Sequence, residues 1–125
     1  MNNIEICASK ESFFDAGIFK SVKISVVKIL KENKLSGKLG ITFIDDKEMK
    51  KLNNKYRKKN KSTDVLSFEI NDNGVLGDVY ISYPQAVKQA KAFSWSLKEE
   101  INRLALHGTL HVLGYTHKEM SKYGC

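Results

Sequence analysis

Three histidines near the C-terminus are the residues whose types and spacing point most directly to chemistry. His107, His111 and His117 lie within eleven residues, and the chain has no other histidine. His107 and His111 are four residues apart on a predicted helix, so their β-carbons should lie about 5–6 Å apart on one face. Two imidazoles at this separation can bind one metal ion, and Gly114 can reverse the chain so that His117 supplies a third nitrogen.

The spacing H-x-x-x-H-x-x-G-x-x-H is also the ligand spacing of the metzincin proteases. Three neutral nitrogens leave a fourth position for water, as in a catalytic zinc site, whereas a structural zinc would need a further ligand such as Cys125. The glutamate that serves those proteases as general base is replaced by Gly108. A glycine there would let substrate or another backbone approach the ion. We therefore expect an open Zn²⁺ site without the peptidase base, with Ni²⁺ or another divalent metal as alternatives.

The elements that must position these histidines form an α/β (mixed α+β) fold, predicted as a single domain over residues 1–125. Alternating or apolar runs predict four strands at residues 4–7, 38–44, 64–70 and 75–82. Helical periodicity predicts helices at residues 12–30, 45–56, 84–93 and 97–113. We expect about four strands in a mixed parallel and antiparallel sheet, packed with four to five helices. The metal site should lie at the end of the C-terminal helix.

Local sequence signals set the expected boundaries. Ser12, followed by Asp15, predicts the start of the first helix, and Ser96 with Glu99 predicts a capping box at the start of the last. Residues 71–74 (NDNG) predict the turn of an antiparallel hairpin. The buried face of the first helix is predicted to carry an apolar residue every fourth position: Phe14, Ile18, Val22, Val26 and Leu30.

The composition narrows the function classes. The chain has 125 residues, 42% of them hydrophobic and 28% charged, and no apolar run approaches the roughly 20 residues of a membrane span. No signal peptide is visible, and the two cysteines do not form a disulfide pattern, so we expect the cytoplasm and a buried strand position for Cys7. The net charge of +7 favours polyanions such as nucleic acid. Charge alone is weak evidence here, because nineteen lysines against two arginines indicate a general lysine preference.

Three stretches together resemble the YbeY family of bacterial endoribonucleases and rRNA maturation factors. Residues 107–117 (HGTLHVLGYTH) are similar to the family signature H-G-x-L-H-L-x-G-Y-D-H. Residues 53–68 resemble N-x-x-Y-R-x-x-x-x-x-T-D-V-L-S-F, and residues 76–79 resemble L-G-D-I. The order and the gaps between these stretches match over most of the chain, which makes the resemblance specific.

The resemblance implies a metal-dependent, single-strand-specific endoribonuclease that acts in 16S rRNA 3′-end maturation and ribosome quality control. It implies that His107, His111 and His117 bind the metal, usually zinc, and that Arg57 is the functional arginine. It also implies RNA as the partner, in the form of a 16S rRNA precursor or ribosomal particles, with ribosomal proteins as further candidates.

The segment around Arg57 is consistent with this activity. A guanidinium near a metal-bound phosphate can stabilise the negative charge that develops during cleavage, a role in which lysine does not replace arginine. Tyr56 could stack a base. Four neighbouring lysines are candidates for contacts with the RNA backbone: Lys55, Lys58, Lys59 and Lys61.

Some points remain open from the sequence. The aspartate before the last histidine of the family signature is Thr116 here, and Cys125 ends the chain eight residues after His117, so we expect that ligand to be less firmly held. Asp78 and Glu119 are both candidates for the general base. Two other functions remain as alternatives: a metallohydrolase of another type, and a non-catalytic ribosome-assembly factor with a bound metal. The oligomeric state cannot be read from the sequence.

Overall fold

The computed structural model describes residues 2–115, so Thr116, His117, Glu119 and Cys125 lie outside the described residues. The elements follow in the order β1 Asn2–Ala8, a 3₁₀ helix Glu11–Phe13, α1 Ala16–Glu32, β2 Gly37–Ile44, α2 Asp46–Arg57, β3 Val65–Asp72, β4 Val75–Ser82, α3 Tyr83–Phe93 and α4 Leu97–Val112. The predicted fold class is confirmed, with one α/β domain of four strands and four α-helices in the described part of the chain.

The four strands form one mixed sheet in the order β1-β2-β4-β3. β1 pairs with β2 and β2 pairs with β4 in parallel, whereas β3 and β4 form the predicted antiparallel hairpin. The hairpin turn is tighter than predicted, because β3 continues to Asp72, which pairs with Val75. Asn73 and Gly74 then make the turn with positive φ angles of 50° and 79°, the geometry that suits the twist of a two-residue hairpin. Because β3 stands last in the strand order, it is an edge strand of the sheet.

The sheet is covered on both faces. Side chains alternate along each strand, so Ile41 and Phe43 of β2 point to the face covered by α1 and α4, in the larger apolar cluster. Ile44 points to the opposite face, where it packs with Met49 of α2 and Leu66 of β3. This arrangement places α2 and α4 on opposite faces of the sheet. The C-terminal end of α2 and the C-terminal part of α4 both reach the edge strand β3.

The predicted start of α1 is wrong by one turn. The Asp15 carboxylate accepts a hydrogen bond from the Ile18 amide (3.0 Å) and caps the helix, whereas Ser12 belongs to the preceding 3₁₀ helix. Phe14 consequently precedes the helix and is 61% exposed. The S-x-x-D pattern resembled a capping box, but Asp15 is itself the N-cap and accepts from the Ile18 amide.

The expected burial of Cys7 is also wrong. Cys7 lies in β1 as predicted, but it is exposed. Ile4 of the same strand is buried, and residues three apart on a strand point to opposite faces. Cys7 therefore points away from the core that buries Ile4.

Candidate functional site

The two described histidines line a cleft beside the edge strand. This cavity has a volume of about 460 Å³, and it lies between α4, β3 and the segment that follows α2. Its lining residues are Arg57, Thr63, Asp64, Val65, Leu66, Ser67, Glu69, His107 and His111. The cleft therefore brings together residues that are about fifty positions apart in sequence.

The two imidazoles converge at the wall of the cleft. His107 and His111 are both half-buried, and their Nε2 atoms lie 3.0 Å apart. Two ligands of a tetrahedral zinc, each bound at 2.0–2.1 Å, would be separated by roughly 3.3 Å. The observed separation is within a few tenths of an ångström of that value, so the pair of nitrogens fits a shared ion. The same distance also allows a hydrogen bond from one neutral imidazole to the other.

The third predicted ligand cannot be placed, because His117 lies outside the described residues. Within residues 2–115, no group of three His, Cys, Asp or Glu side chains is arranged to hold a metal ion. The described part of the chain therefore offers no substitute for His117. The full metal site stays a prediction.

The helix that carries the histidines is fixed at both ends. At its start, the Ser96 hydroxyl accepts from the Glu99 amide and the Glu99 carboxylate accepts from the Ser96 amide, which confirms the predicted capping box. At its end, Gly114 adopts the predicted left-handed conformation with a φ of 85°. The Tyr115 amide then donates to the Leu110 carbonyl (3.0 Å), and the Tyr115 hydroxyl donates to the side chain of Asn33 beyond α1. These bonds set the direction in which the chain leaves the helix.

Gly108 packs against the sheet and does not widen the cleft. A β-carbon at this position would lie 2.5 Å from Cγ1 of Val79 and 3.2 Å from Cγ2 of Val65. The Gly108 carbonyl accepts a hydrogen bond from the Ser67 hydroxyl (3.0 Å). Of the two approaches expected at Gly108, substrate or another backbone, the structure shows the second, because the strands of the sheet occupy this side of the helix. Its lack of a side chain lets α4 lie close to β3 and β4, which holds the histidines at the edge strand.

Arg57, which the family resemblance marks as the functional arginine, lies at the cleft. It is the last residue of α2, and its exposed side chain lines the cleft with both histidines. None of the hydrogen bonds or ion pairs between residues 2–115 involves this guanidinium. It can therefore contact an anion in the cleft without first losing a protein partner.

The segment after Arg57 is held in place by side chains. The buried Asn53 amide donates to the Lys61 carbonyl (2.8 Å). The Asp46 carboxylate accepts from Ser62 (2.9 Å) and from Ser82 (2.8 Å). These contacts fix the segment up to the start of β3. There the Asp64 carbonyl accepts a hydrogen bond from the Ser82 amide (2.9 Å).

The four candidate RNA-binding lysines lie in this segment or next to it, and none of them lines the cleft. All four side chains are exposed: Lys55, Lys58, Lys59 and Lys61. The Lys55 ammonium lies 5.2 Å from the centre of the Tyr56 ring. Tyr56 is 56% exposed and packs edge-on against Phe68, with ring centres 5.1 Å apart. Tyr56 therefore has a packing role and still presents part of its ring to solvent.

Two carboxylates of the cleft were missed by the sequence reasoning. Asp64 and Glu69 line the cavity, whereas Asp78 lies in a separate recess with Tyr56 and Tyr80. Burial of the Tyr80 side chain in that recess raises its pKa above the ordinary value of 10.0, and the charge of Asp78 raises that pKa further. The signal for Asp64 was present in the T-D-V-L-S-F stretch, but no spacing rule linked it to the histidines. Asp78 does not line this cleft, and Glu119 lies outside the described residues.

A family model described as endoribonuclease YbeY matches residues 5–123. The chain belongs to the YbeY family. It is 44% identical to endoribonuclease YbeY of Persephonella marina over 82% of the chain and 72% of that relative. It is 42% identical to endoribonuclease YbeY of Aster yellows witches'-broom phytoplasma over 84% of the chain and 75% of that relative. The resemblance inferred from the motifs is thereby confirmed.

A solved structure shows the same fold. The solution structure of TM1509 from Thermotoga maritima matches 91% of this chain and 74% of its own length, with a TM-score of 0.65 and 24% sequence identity. This similarity supports the architecture alone. Among residues 2–115, none of the helices has the length and apolar character needed to span a bilayer.

Proposed function

We propose that the chain is a metal-dependent, single-strand-specific endoribonuclease. Membership of the YbeY family, whose relatives are named as endoribonucleases, supports hydrolysis of RNA phosphodiesters. The observation that carries the proposal is the cleft itself, in which Arg57 and the paired histidines meet. The proposed tasks are 16S rRNA 3′-end maturation and ribosome quality control in the cytoplasm, with ribosomal particles and ribosomal proteins as partners.

The donor set supports a zinc ion held by His107, His111 and His117. A bound divalent ion would supply Lewis acidity at the scissile phosphate and a more acidic water. Imidazole ligands also suit Ni²⁺, so elemental analysis of the purified protein is the measurement that assigns the metal. One equivalent of zinc that is lost in His111→Ala would support the assignment, and an unchanged metal content in that variant would contradict it.

Arg57 would act on the phosphate. Its guanidinium can donate two parallel hydrogen bonds to phosphate oxygens, and this contact strengthens as negative charge builds up in the transition state. Asp64 and Glu69 are the cleft carboxylates that could take the proton of the attacking nucleophile. Separate Asp64→Asn and Glu69→Gln variants would distinguish them, because only loss of the base should flatten the rise of the cleavage rate with pH.

The surroundings of the cleft suit a single strand. The basic segment after α2 offers ammonium groups for the RNA backbone, and the exposed part of the Tyr56 ring offers a surface on which an unpaired base can stack. Base stacking of this kind requires bases that are not already paired in a duplex. This reasoning favours unpaired RNA over double-stranded RNA as substrate.

The metallopeptidase alternative is weakened by the packing of α4. The position that carries the peptidase glutamate is Gly108, and a side chain there would collide with Val79 of the sheet. The non-catalytic assembly factor stays as the second candidate, because its motive was the basic surface, and that surface is exposed around Lys58 and Lys59.

The test compares three proteins on two substrates. Wild type, metal-stripped wild type and His111→Ala would be incubated with single-stranded 16S rRNA fragments and with a peptide library. We expect wild type alone to cut RNA, zinc to restore the stripped protein, and no peptide to be cut. If RNA cleavage survives both treatments, the metal-dependent nuclease is wrong. Binding of ribosomal particles without any cleavage would favour the assembly factor instead.

A further inference from the structure

Two exposed aromatic rings lie at the start of the helix that carries the histidines. Phe93 is 56% exposed and Trp95 is 42% exposed, and their ring centres are 5.3 Å apart. Phe93 is the last residue of α3 and Trp95 lies in the link to α4, where Ser94 adopts a left-handed conformation with a φ of 56°. The two exposed rings are tilted by 35° to each other and form an aromatic surface outside the apolar core.

An ion pair between Arg103 and a buried carboxylate holds this surface against α4. The guanidinium of Arg103 lies 5.7 Å from the centre of the Trp95 ring. It also binds Glu100 through two hydrogen bonds of 2.8 and 2.9 Å, and the Glu100 carboxylate is fully buried and accepts a further bond from Gln89. The ring of Trp95 is therefore held against a cation that cannot easily move away. Such pre-organisation lowers the entropic cost of placing a ligand on the ring.

Arg103 lies on the same stripe of α4 as the histidines. Residues 103, 107 and 111 are each four apart, so their side chains follow one another along one side of the helix. The distance from Arg103 to His111 along the axis is about 12 Å. At the roughly 3.4 Å rise of a stacked strand, this corresponds to about three to four nucleotides. A strand that lies along α4 can thus reach the rings and the cleft at the same time.

The chemistry of the surface suits nucleic acid bases. Aromatic rings beside an arginine are a common platform for unpaired bases, because every base has a flat face that stacks regardless of its identity. Lys91 and Lys98 flank the rings in sequence, and their exposed ammonium groups can contact phosphates. Glu99 is an exposed acid in the first turn of α4, and its carboxylate is engaged in the helix cap.

We propose that Phe93 and Trp95 form a base-stacking subsite for single-stranded RNA, about three to four nucleotides from the cleft. This subsite rests on the proposed nuclease function and deepens it, since it would set the length of unpaired RNA that the enzyme needs. RNA too short to reach the rings would bind more weakly than longer RNA of the same composition.

Trp95 is the only tryptophan of the chain, so its fluorescence reports on the subsite directly. Metal-stripped protein, which should bind RNA without cutting it, would be titrated with unpaired oligouridine of about eight nucleotides. We expect quenching that saturates with the oligonucleotide, and little quenching by a duplex of equal length. Unchanged fluorescence at saturating single-stranded RNA would overturn the subsite.

Variants give a second, independent readout. Trp95→Ala should weaken oligouridine binding by about 5- to 150-fold, the range for loss of one stacked base, and Trp95→Phe should restore much of it. Phe14→Ala is the matched control, because Phe14 is 61% exposed and pairs with Phe19 at 5.0 Å but lies outside the cleft and the link. Equal binding by Trp95→Ala and wild type would reject the subsite. Loss of ribosomal-protein binding with unchanged RNA binding would reject it in favour of a protein interface.

Failure of the subsite and failure of the nuclease are distinguishable. If metal-loaded wild type cuts RNA but Trp95 fluorescence does not respond, the proposed function stands and the subsite is wrong. If the fluorescence responds and Trp95→Ala binds weakly, while metal-loaded protein cuts nothing, the subsite stands and the nuclease is wrong.

Discussion

The two arginines of the chain occupy opposite environments. Arg103 is held by the fully buried Glu100 through two hydrogen bonds, and it lies beside the ring of Trp95. Arg57 is exposed at the end of α2, lines the cleft with the histidines, and makes no hydrogen bond or ion pair to the described residues. One guanidinium is committed to the fold, and the other is available to a ligand.

This difference shows that residue type alone does not assign a role. The sequence has nineteen lysines and two arginines, and Arg103 uses its planar guanidinium for a two-fold hydrogen bond to one carboxylate. The groups around each guanidinium decide its role. A buried carboxylate accepts the hydrogen bonds of Arg103, whereas the guanidinium of Arg57 lines the cleft without a partner among the described residues.

The largest expected effect is on stability at Arg103. Arg103→Ala should lower the free energy of unfolding by about 3 kcal/mol, because it leaves Glu100 charged and buried without its partner. We place it at the low end of the range for such pairs, since the Arg103 side chain is 31% exposed. Arg57→Ala should change stability by no more than about 0.5 kcal/mol, as exposed positions usually do. Urea unfolding of both variants measures the contrast, and equal losses would remove the distinction.

The second effect concerns catalysis at Arg57. Arg57→Ala should lower single-stranded RNA cleavage by about 100-fold, the scale of losing one donor that stabilises transition-state charge. Arg57→Lys should restore little, because an ammonium cannot reproduce the planar pair of donors. The metal content should stay at the wild-type level in both variants. Lys59→Ala serves as the control and should mainly raise KM. Full activity of Arg57→Lys would rule out the proposed role.

A smaller effect is expected at Gly108, where α4 packs against the sheet. This helix also carries Arg103 and the histidines. Gly108→Ala would place a β-carbon 2.5 Å from Cγ1 of Val79, so the helix must shift or the valine must move. Overpacking of this kind costs about 1–3 kcal/mol, which thermal unfolding would detect as a lower Tm. A Tm equal to that of the wild type would show that α4 does not need a glycine for its approach to the sheet.

The smallest effect is the acid response of the Arg103 pair. Burial raises the pKa of Glu100, but the hydrogen bonds from Arg103 and Gln89 outweigh it and leave that pKa below its ordinary value of 4.5. A carboxyl whose pKa is lowered by folding contributes stability above its unfolded pKa, and this contribution is lost as the pH falls through the folded pKa. Wild type should therefore lose stability below about pH 4.5 more steeply than Glu100→Gln. If the two proteins lose the same stability as the pH falls, the ionised Glu100 carboxylate does not contribute to the stability of the fold.

Much of the fold could be predicted because its signals are local. The capping box of Ser96 and Glu99, the positive φ of Gly114 and the hairpin at Gly74 depend only on neighbouring residues. The start of α1 was misplaced because Ser12 and Asp15 are both good caps, and only the structure shows which of them reaches a free amide.

The cleft could be predicted only in part. The spacing of His107 and His111 fixes their convergence on one face, and the structure places their Nε2 atoms 3.0 Å apart. Their meeting with Arg57 depends on α2 and α4 covering opposite faces of the sheet, which no short motif encodes; the resemblance alone indicated it. The lining carboxylates Asp64 and Glu69 were missed for the same reason. Which of the two approaches Gly108 serves could not be predicted, because close packing on Val79 is a property of the tertiary structure.

The central claim is that Arg57 and the histidine pair act on the same phosphate. A double-mutant cycle of Arg57→Ala and His111→Ala, measured as single-turnover cleavage of a single-stranded 16S rRNA fragment, tests it most directly. Groups that act as a unit show losses that do not multiply. We predict that each single variant loses about 100-fold or more and that the double variant is no slower than the worse single variant. Wild-type cleavage by either single variant, or fully multiplicative losses, would contradict a shared site.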